Sequence, residues 1–276
     1  MAGFVDKIKN IWDALQQKVD TQPEPVIAVP TSQPTPVSPP EAPAVVEQEV
    51  VVKTKRNYAK VNPLVLDLSH HNVIRSFAEI KNEKIVGVIL KSTQGARYVD
   101  KAFATRRKEA LAVGLLVGAY HFGDASSVSQ QVINFLRTVE YETFGKQTLL
   151  CLDYEPNPGS GGTMSLSQAK EFLKQIYERT GQRPVLYSGN LIKEKLGKNK
   201  DEFLAQHRLW IAQYGAKAVV PPAWNNYWLW QFTDGRYGPM PHQIPGIVGK
   251  KNEKSGPCDI NSFPGTAEEL AKEWVQ

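Results

Sequence analysis

From residue 61 onward, short β-branched or apolar runs alternate with segments of helical spacing, and no other feature of the chain restricts its fold so severely. The runs are Leu64–Leu68, Ile85–Lys91, Leu115–His121, Thr148–Glu155, Pro184–Tyr187, Leu209–Tyr214, Tyr227–Phe232 and Pro257–Ile260. Helical patterns fill the gaps at Val73–Lys81, Lys101–Val113, Ser126–Phe144, Ser165–Thr180 and Leu191–Gln206. Beyond the sixth run the gaps carry Pro221-Pro222 and then many Gly and Pro residues, with no helical period. The expected class is α/β: an incomplete (β/α) barrel of five β/α units followed by three strands lacking crossover helices. A closing helix, Ala267–Val275, should pack outside it.

Composition divides the rest of the chain. Residues 21–43 hold eight prolines and no aromatic side chain, which cannot build a core. Before them, Phe4, Val5, Ile8, Ile11, Trp12, Leu15 and Val19 recur at helical spacing with charged residues between them. The expected domains are an amphipathic helix at 1–20, a Pro-rich linker and extended segment at 21–60, and a barrel at 61–276. The apolar face of helix 4–19 needs a cover. It docks on the domain, self-associates, or meets a membrane, a particle or a protein partner.

An apolar fraction of 41% with 9% aromatics excludes a disordered chain, and no run approaches the ~18 apolar residues of a membrane span. The net charge of +5 resides in the domain, because the seven basic and seven acidic residues of 1–60 cancel. Its lysines and arginines are dispersed, which disfavours nucleic acid and suits a mildly anionic polymer. Met1–Val19 lacks the apolar stretch and cleavage site of a secretory signal, so synthesis in a host cytoplasm is expected. Action on a cell wall would then require release or delivery. Cys151 and Cys258 lie on the fourth and eighth strands, on opposite walls, and both should be free thiols.

In a parallel barrel, chemistry sits at the C-terminal ends of the strands. Asp67 ends the first run, Asp153 and Glu155 end the fourth, and Asp259 lies in the eighth. Two residues apart on a strand, Asp153 and Glu155 point the same way, about 6.5–7 Å apart at Cα. If the barrel closes, Asp67 and Asp259 sit side by side. Converging carboxylates raise one another's pKa, leaving one protonated as an acid while another stays charged. Glycosidic bond cleavage uses that division of labour. Aromatic residues at strand ends, including Tyr120, Tyr187, Tyr214 and Trp230, can stack on sugar rings, although alternation turns about half of them away. His70, His71 and His121 invite a metal site, but they lack ligand spacing, and one is expected to orient a carboxylate while another packs. No metal or cofactor is expected.

The strings VLDLSHHN (65–72), GVILKSTQG (87–95), GAYHFG (118–123), LDYE (152–155), LWIAQY (209–214), LWQF (229–232) and CDIN (258–261) together resemble glycoside hydrolase family 25, the lysozyme-type muramidases of phage endolysins and bacterial autolysins. The resemblance implies a flattened barrel and cleavage of the β-1,4 bond between N-acetylmuramic acid and N-acetylglucosamine in peptidoglycan glycan strands. It implies Glu155 as general acid, Asp153 as its partner, and Asp67 and Asp259 as supporting carboxylates. Lys91, Tyr120, Tyr187, Gln213, Trp230 and Gln231 would line the glycan groove. Gln94 stands where the family usually has Glu. A phage or prophage lysin is the expected role. A chitinase-like hydrolase would carry a further Asp at the position of Cys151, and a non-catalytic glycan-binding barrel would have lost the acid pair.

Overall fold

The computed structural model describes residues 62–249 and 253–275. The expected amphipathic helix, linker and extended segment fall outside the described residues. Among the described residues there are eleven strands: β1 (Leu64–Leu68), β2 (Ile85–Gln94), β3 (Tyr98–Val99), β4 (Leu116–Phe122), β5 (Leu149–Asp153), β6 (Val185–Ser188), β7 (Leu209–Ala212), β8 (Leu229–Thr233), β9 (Gln243–Pro245), β10 (Ser255–Pro257) and β11 (Asp259–Ser262). Helices are α1 (Phe77–Asn82), α2 (Phe103–Ala112), α3 (Val128–Thr138), α4 (Tyr141–Phe144), α5 (Leu166–Thr180), α6 (Asn190–Leu196), α7 (Glu202–Ala205) and α8 (Ala267–Glu273). No helix among the described residues is long and apolar enough to cross a membrane.

Eight strands close on themselves in the order β1, β2, β4, β5, β6, β7, β8, β11, with β11 returning to β1. Helices follow β1, β2, β4, β5 and β6, and none separates β7, β8 and β11, as the spacing predicts. One direction differs. β11 runs antiparallel to both β1 and β8, whereas the other barrel neighbours are parallel. Without a crossover helix after β8, nothing carries the chain back to the far end of the barrel, so β11 enters from the end where β8 stops. The intervening segment forms the separate β9–β10 pair.

Strand alternation sorts the core into two layers. Val65, Ile89, Leu149, Cys151, Val185 and Leu229 fill the barrel interior. Their neighbours Leu66, Val88, Leu90, Leu150, Leu152 and Leu186 face the helices, where Phe135, Phe172 and Ile176 meet them. Space inside is limited: a Cβ on Gly118 would lie 3.2 Å from both Ile89 and Leu149. Local signals set the helix ends. Ser165 and Gln168 form a capping box at the start of α5, which ends at Gly181 in a left-handed conformation (φ 72°). The single helix expected over 126–144 divides at Glu140 (φ 51°), where Arg107 binds the Val139 carbonyl and the Glu140 carboxylate. The helix expected over 191–206 divides likewise, with Gly197 (φ 55°) ending α6.

The closing helix also departs from expectation. Leu270 and Trp274 pack with the interior cluster rather than the outer layer. The Trp274 indole donates to the Val117 carbonyl at 2.9 Å and reaches within 3.0 Å of where a Cβ on Gly87 would lie. Trp228 donates to Glu273 from just before β8. The helix therefore stoppers the barrel at the N-terminal ends of the parallel strands and leaves the other end for the site. Trp274→Ala should cost about 3–5 kcal/mol through the cavity it opens. Thermal denaturation should then show a midpoint lower by roughly 10 °C, at about 2–4 °C per kcal/mol for a domain of this size.

Candidate active site

The parallel strands build the cleft by one rule. Five of the seven bury an apolar side chain in the interior and, two residues later, present a polar one at the open end: Val65 then Asp67, Ile89 then Lys91, Cys151 then Asp153, Val185 then Tyr187, Leu229 then Gln231. The antiparallel β11 reverses the order, so Asp259 is its first residue and Asn261 lies deeper. Asp67 and Asp259 are register partners, the adjacency expected from closure. Glu155 follows the end of β5 by two residues. The result is a cleft of about 240 Å³ containing all four carboxylates with Lys91, Tyr120, Tyr187 and Gln231.

Two named residues are elsewhere. Trp230 alternates with Gln231 and turns outward, packing edge-on against Phe232 and donating to the Gln213 carbonyl at 2.8 Å. The Gln213 side chain accepts from Lys193 and, at 3.2 Å, from the Val219 amide, so it holds a loop rather than lining the cleft. The cleft also includes Tyr214, one of the strand-end aromatics expected to meet sugar rings, together with Trp210, Phe122, Ser69 and His71. Trp210 follows from alternation, being on the same face as Ala212.

Hydrogen bonds fix the orientation of Asp67. Asn261 Nδ2 donates to its Oδ2 at 2.8 Å and Gln231 Nε2 donates to the same oxygen at 3.0 Å. Both amides are themselves oriented. Trp210 Nε1 donates to Asn261 Oδ1 at 2.6 Å, and the Tyr187 and Tyr214 hydroxyls each lie 3.0 Å from Gln231 Oε1. With each amide oxygen occupied by donors, each amide NH2 is aimed at the carboxylate.

Burial pushes Asp67 up to about 6, against the pull of Asn261 and Gln231. Asp153 stands well above the usual carboxylate range, first through burial and then through the charge of Glu155. Glu155 is raised by burial and by Asp67, with Tyr187 and Asp153 opposing. Burial and the charges of Asp67, Asp234 and Glu155 push Asp259 up to about 9. Four such groups cannot all ionise, so protons are retained at neutral pH. Of the two register partners, Asp259 is pushed the further up and Asp67 the less. Lys91, held to Gln94 Oε1 at 2.7 Å, is lowered by burial while Asp153, Asp100 and Glu155 oppose the shift.

Retained protons reduce stability as pH rises. Between the ordinary value of 3.8 and about 9, folded Asp259 binds more protons than the unfolded chain, so stability falls with pH throughout that window. Asp259→Asn removes this dependence while keeping shape. Its melting temperature should exceed that of wild type by several degrees at pH 8 and by less at pH 4. Equal differences at both pH values would contradict the raised carboxyl.

The histidines are occupied otherwise. His121, facing the helices, stacks on Phe172 and is bonded to Thr93 at 2.8 Å and Gln131 at 2.9 Å. His70 Nδ1 lies 2.8 Å from the buried Asp100 carboxylate. Among the described residues no group of three or more His, Cys, Asp and Glu side chains is arranged to hold a metal ion. Cys151 and Cys258 are both free and buried.

A barrel whose cleft gathers paired carboxylates is an arrangement that glycoside hydrolases share. The family model "Glycosyl hydrolases family 25" matches residues 66–239, and the chain belongs to that family. A protein of Escherichia coli (strain CFT073), YegX, is 30% identical over 184 residues, 66% of this chain and 60% of its own length. The chain thus spans about three fifths of that relative. Lysozyme M1 of Streptomyces globisporus is 26% identical over 74% of this chain and 69% of its own length. The crystal structure of a bacterial lysozyme from Streptomyces coelicolor superposes with a TM-score of 0.63 at 26% identity, covering 78% of this chain and 97% of the lysozyme.

Proposed function

We propose that the protein is an N-acetylmuramidase that hydrolyses the β-1,4 bond between N-acetylmuramic acid and N-acetylglucosamine in peptidoglycan. The observation that carries this reading is the Asp153–Glu155 pair at the end of β5, sharing one cleft with an oriented Asp67. Glu155, the less buried of the pair, protonates the leaving oxygen. Asp153 lies deeper and orients the 2-acetamido group of the sugar, whose carbonyl oxygen attacks the anomeric carbon as the bond breaks. Asp67, fixed by two amide donors, stabilises the positive charge that develops. Water then opens the cyclic intermediate, with Glu155 taking back a proton. The lysozyme names of the relatives support the same reading.

Reducing-end analysis of digested peptidoglycan tests it. New N-acetylmuramic acid ends are expected. N-acetylglucosamine ends would indicate a glucosaminidase, and the absence of new ends a binding protein. Acetamido participation inverts the anomeric centre twice, so NMR should show the β-anomer as the initial product. An initial α-anomer would require direct attack by water.

A further inference from the structure

The small cleft opens into a much larger groove, of about 1030 Å³, and His71 and Lys91 line both. The two spaces differ in charge. The cleft gathers four carboxyl groups, whereas the wall of the groove carries the cations Lys91 and Arg97 with the imidazoles of His70 and His71. Asp124 is the one carboxylate in that wall, and its Oδ1 is turned onto Ser126, accepting from the Ser126 amide at 2.9 Å and from its hydroxyl. Asp100 lies behind His70, buried, and is satisfied by the His70 and Ala102 amides and the His70 ring. Arg97 is exposed on the turn between β2 and β3, and no acidic side chain among the described residues pairs with it. With Lys91 and Arg97 against Asp124, the groove wall is slightly positive beside an acidic catalytic centre.

We infer that this groove takes the anionic stem of the muramyl residue, with Arg97 the specificity-determining contact to a stem carboxylate. The inference rests on the muramidase reading and adds to it a substrate group and a direction. A polymer of N-acetylglucosamine is neutral. In peptidoglycan the negative charge hangs from the lactyl ether of muramic acid, on a peptide that bears free carboxylates. A cleft of about 240 Å³ has room for the reacting ring but not for such a branch, and the adjoining space supplies it. The glycan must therefore lie with the branched sugar toward β2 and β3. His70, held by Asp100, offers a ring fixed in position on the same wall.

The test uses two soluble glycans, one with intact stems and one whose stem carboxylates have been converted to methyl amides. Wild type should cleave both, with a lower KM for the acidic glycan that rises with salt. Arg97→Glu should raise KM for the acidic glycan about tenfold and that for the neutral glycan less than twofold. Arg97→Lys should restore most of the difference. Binding to Glu155→Gln protein, which leaves the glycans uncut, should follow the same pattern. Equal changes on the two glycans, or none, would overturn the inference while leaving the muramidase reading intact. Failure of wild type to cleave either glycan would overturn the muramidase reading, and the binding comparison would still decide whether the groove selects carboxylates.

Discussion

Glu155→Gln should lower kcat on soluble glycan by at least about a thousandfold while leaving the melting temperature within a few degrees of wild type. The amide has the shape of the acid and no proton to give. General acid catalysis accounts for about two to four orders of magnitude where the leaving group is a sugar alkoxide, a poor leaving group unless protonated. The fold does not depend on the Glu155 charge. Its carboxyl lies beyond the last residue of β5, half-buried, with the Tyr187 hydroxyl 3.3 Å away. The assignment is also open to a chemical rescue. An aryl glycoside with a nitrophenolate leaving group needs little protonation, so the deficit of the variant should shrink to about tenfold. Activity within tenfold of wild type on natural glycan would remove Glu155 from the acid role.

The strand order and the cleft carboxylates were legible because period-two alternation in short apolar runs ties the burial of Val65 and Cys151 in the interior to the placement of Asp67 and Asp153 at the cleft. Counting helices between runs was enough to place five crossovers and three bare strands. Other properties depended on contacts distant in sequence. The reversed β11 follows from how the chain returns from β8, and no residue within 259–262 encodes strand direction. Trp274 reads as an ordinary apolar residue of an amphipathic helix, and only the small residue at Gly87 makes room for it beneath the barrel. Gln213 and Gln231 have similar settings in sequence, each near the end of a strand. What separates them is whether the side chain meets Asp67 or Lys193. The breaks at Glu140 and Gly197 were missed because helical spacing continues across both.

Asp153→Asn should reduce kcat about a hundredfold to a thousandfold on natural glycan, the range seen when one preorganised charge-stabilising group is removed. Unlike Glu155, Asp153 belongs to a strand and is enclosed, and its Oδ1 has no hydrogen-bond partner among the described residues. A buried polar atom without a partner costs free energy, and such an atom facing a cleft is explained by the group that occupies it on binding. The acetamido N–H is a donor of the right kind. The substitution retains the volume but replaces an ionisable carboxyl by an amide, so the acetamido group loses its oriented partner as positive charge forms on it. This defect concerns the attack on the anomeric carbon and not the departure of the alcohol. An aryl glycoside with a nitrophenolate leaving group should therefore leave the Asp153→Asn deficit nearly unchanged, while it relieves that of Glu155→Gln. If both variants recover together, the two carboxyls act as one proton donor, and the separate role of Asp153 is wrong. If only Glu155→Gln recovers, the pair divides as proton donor and acetamido partner, and the initial product of wild type should be the β-anomer in the same experiment.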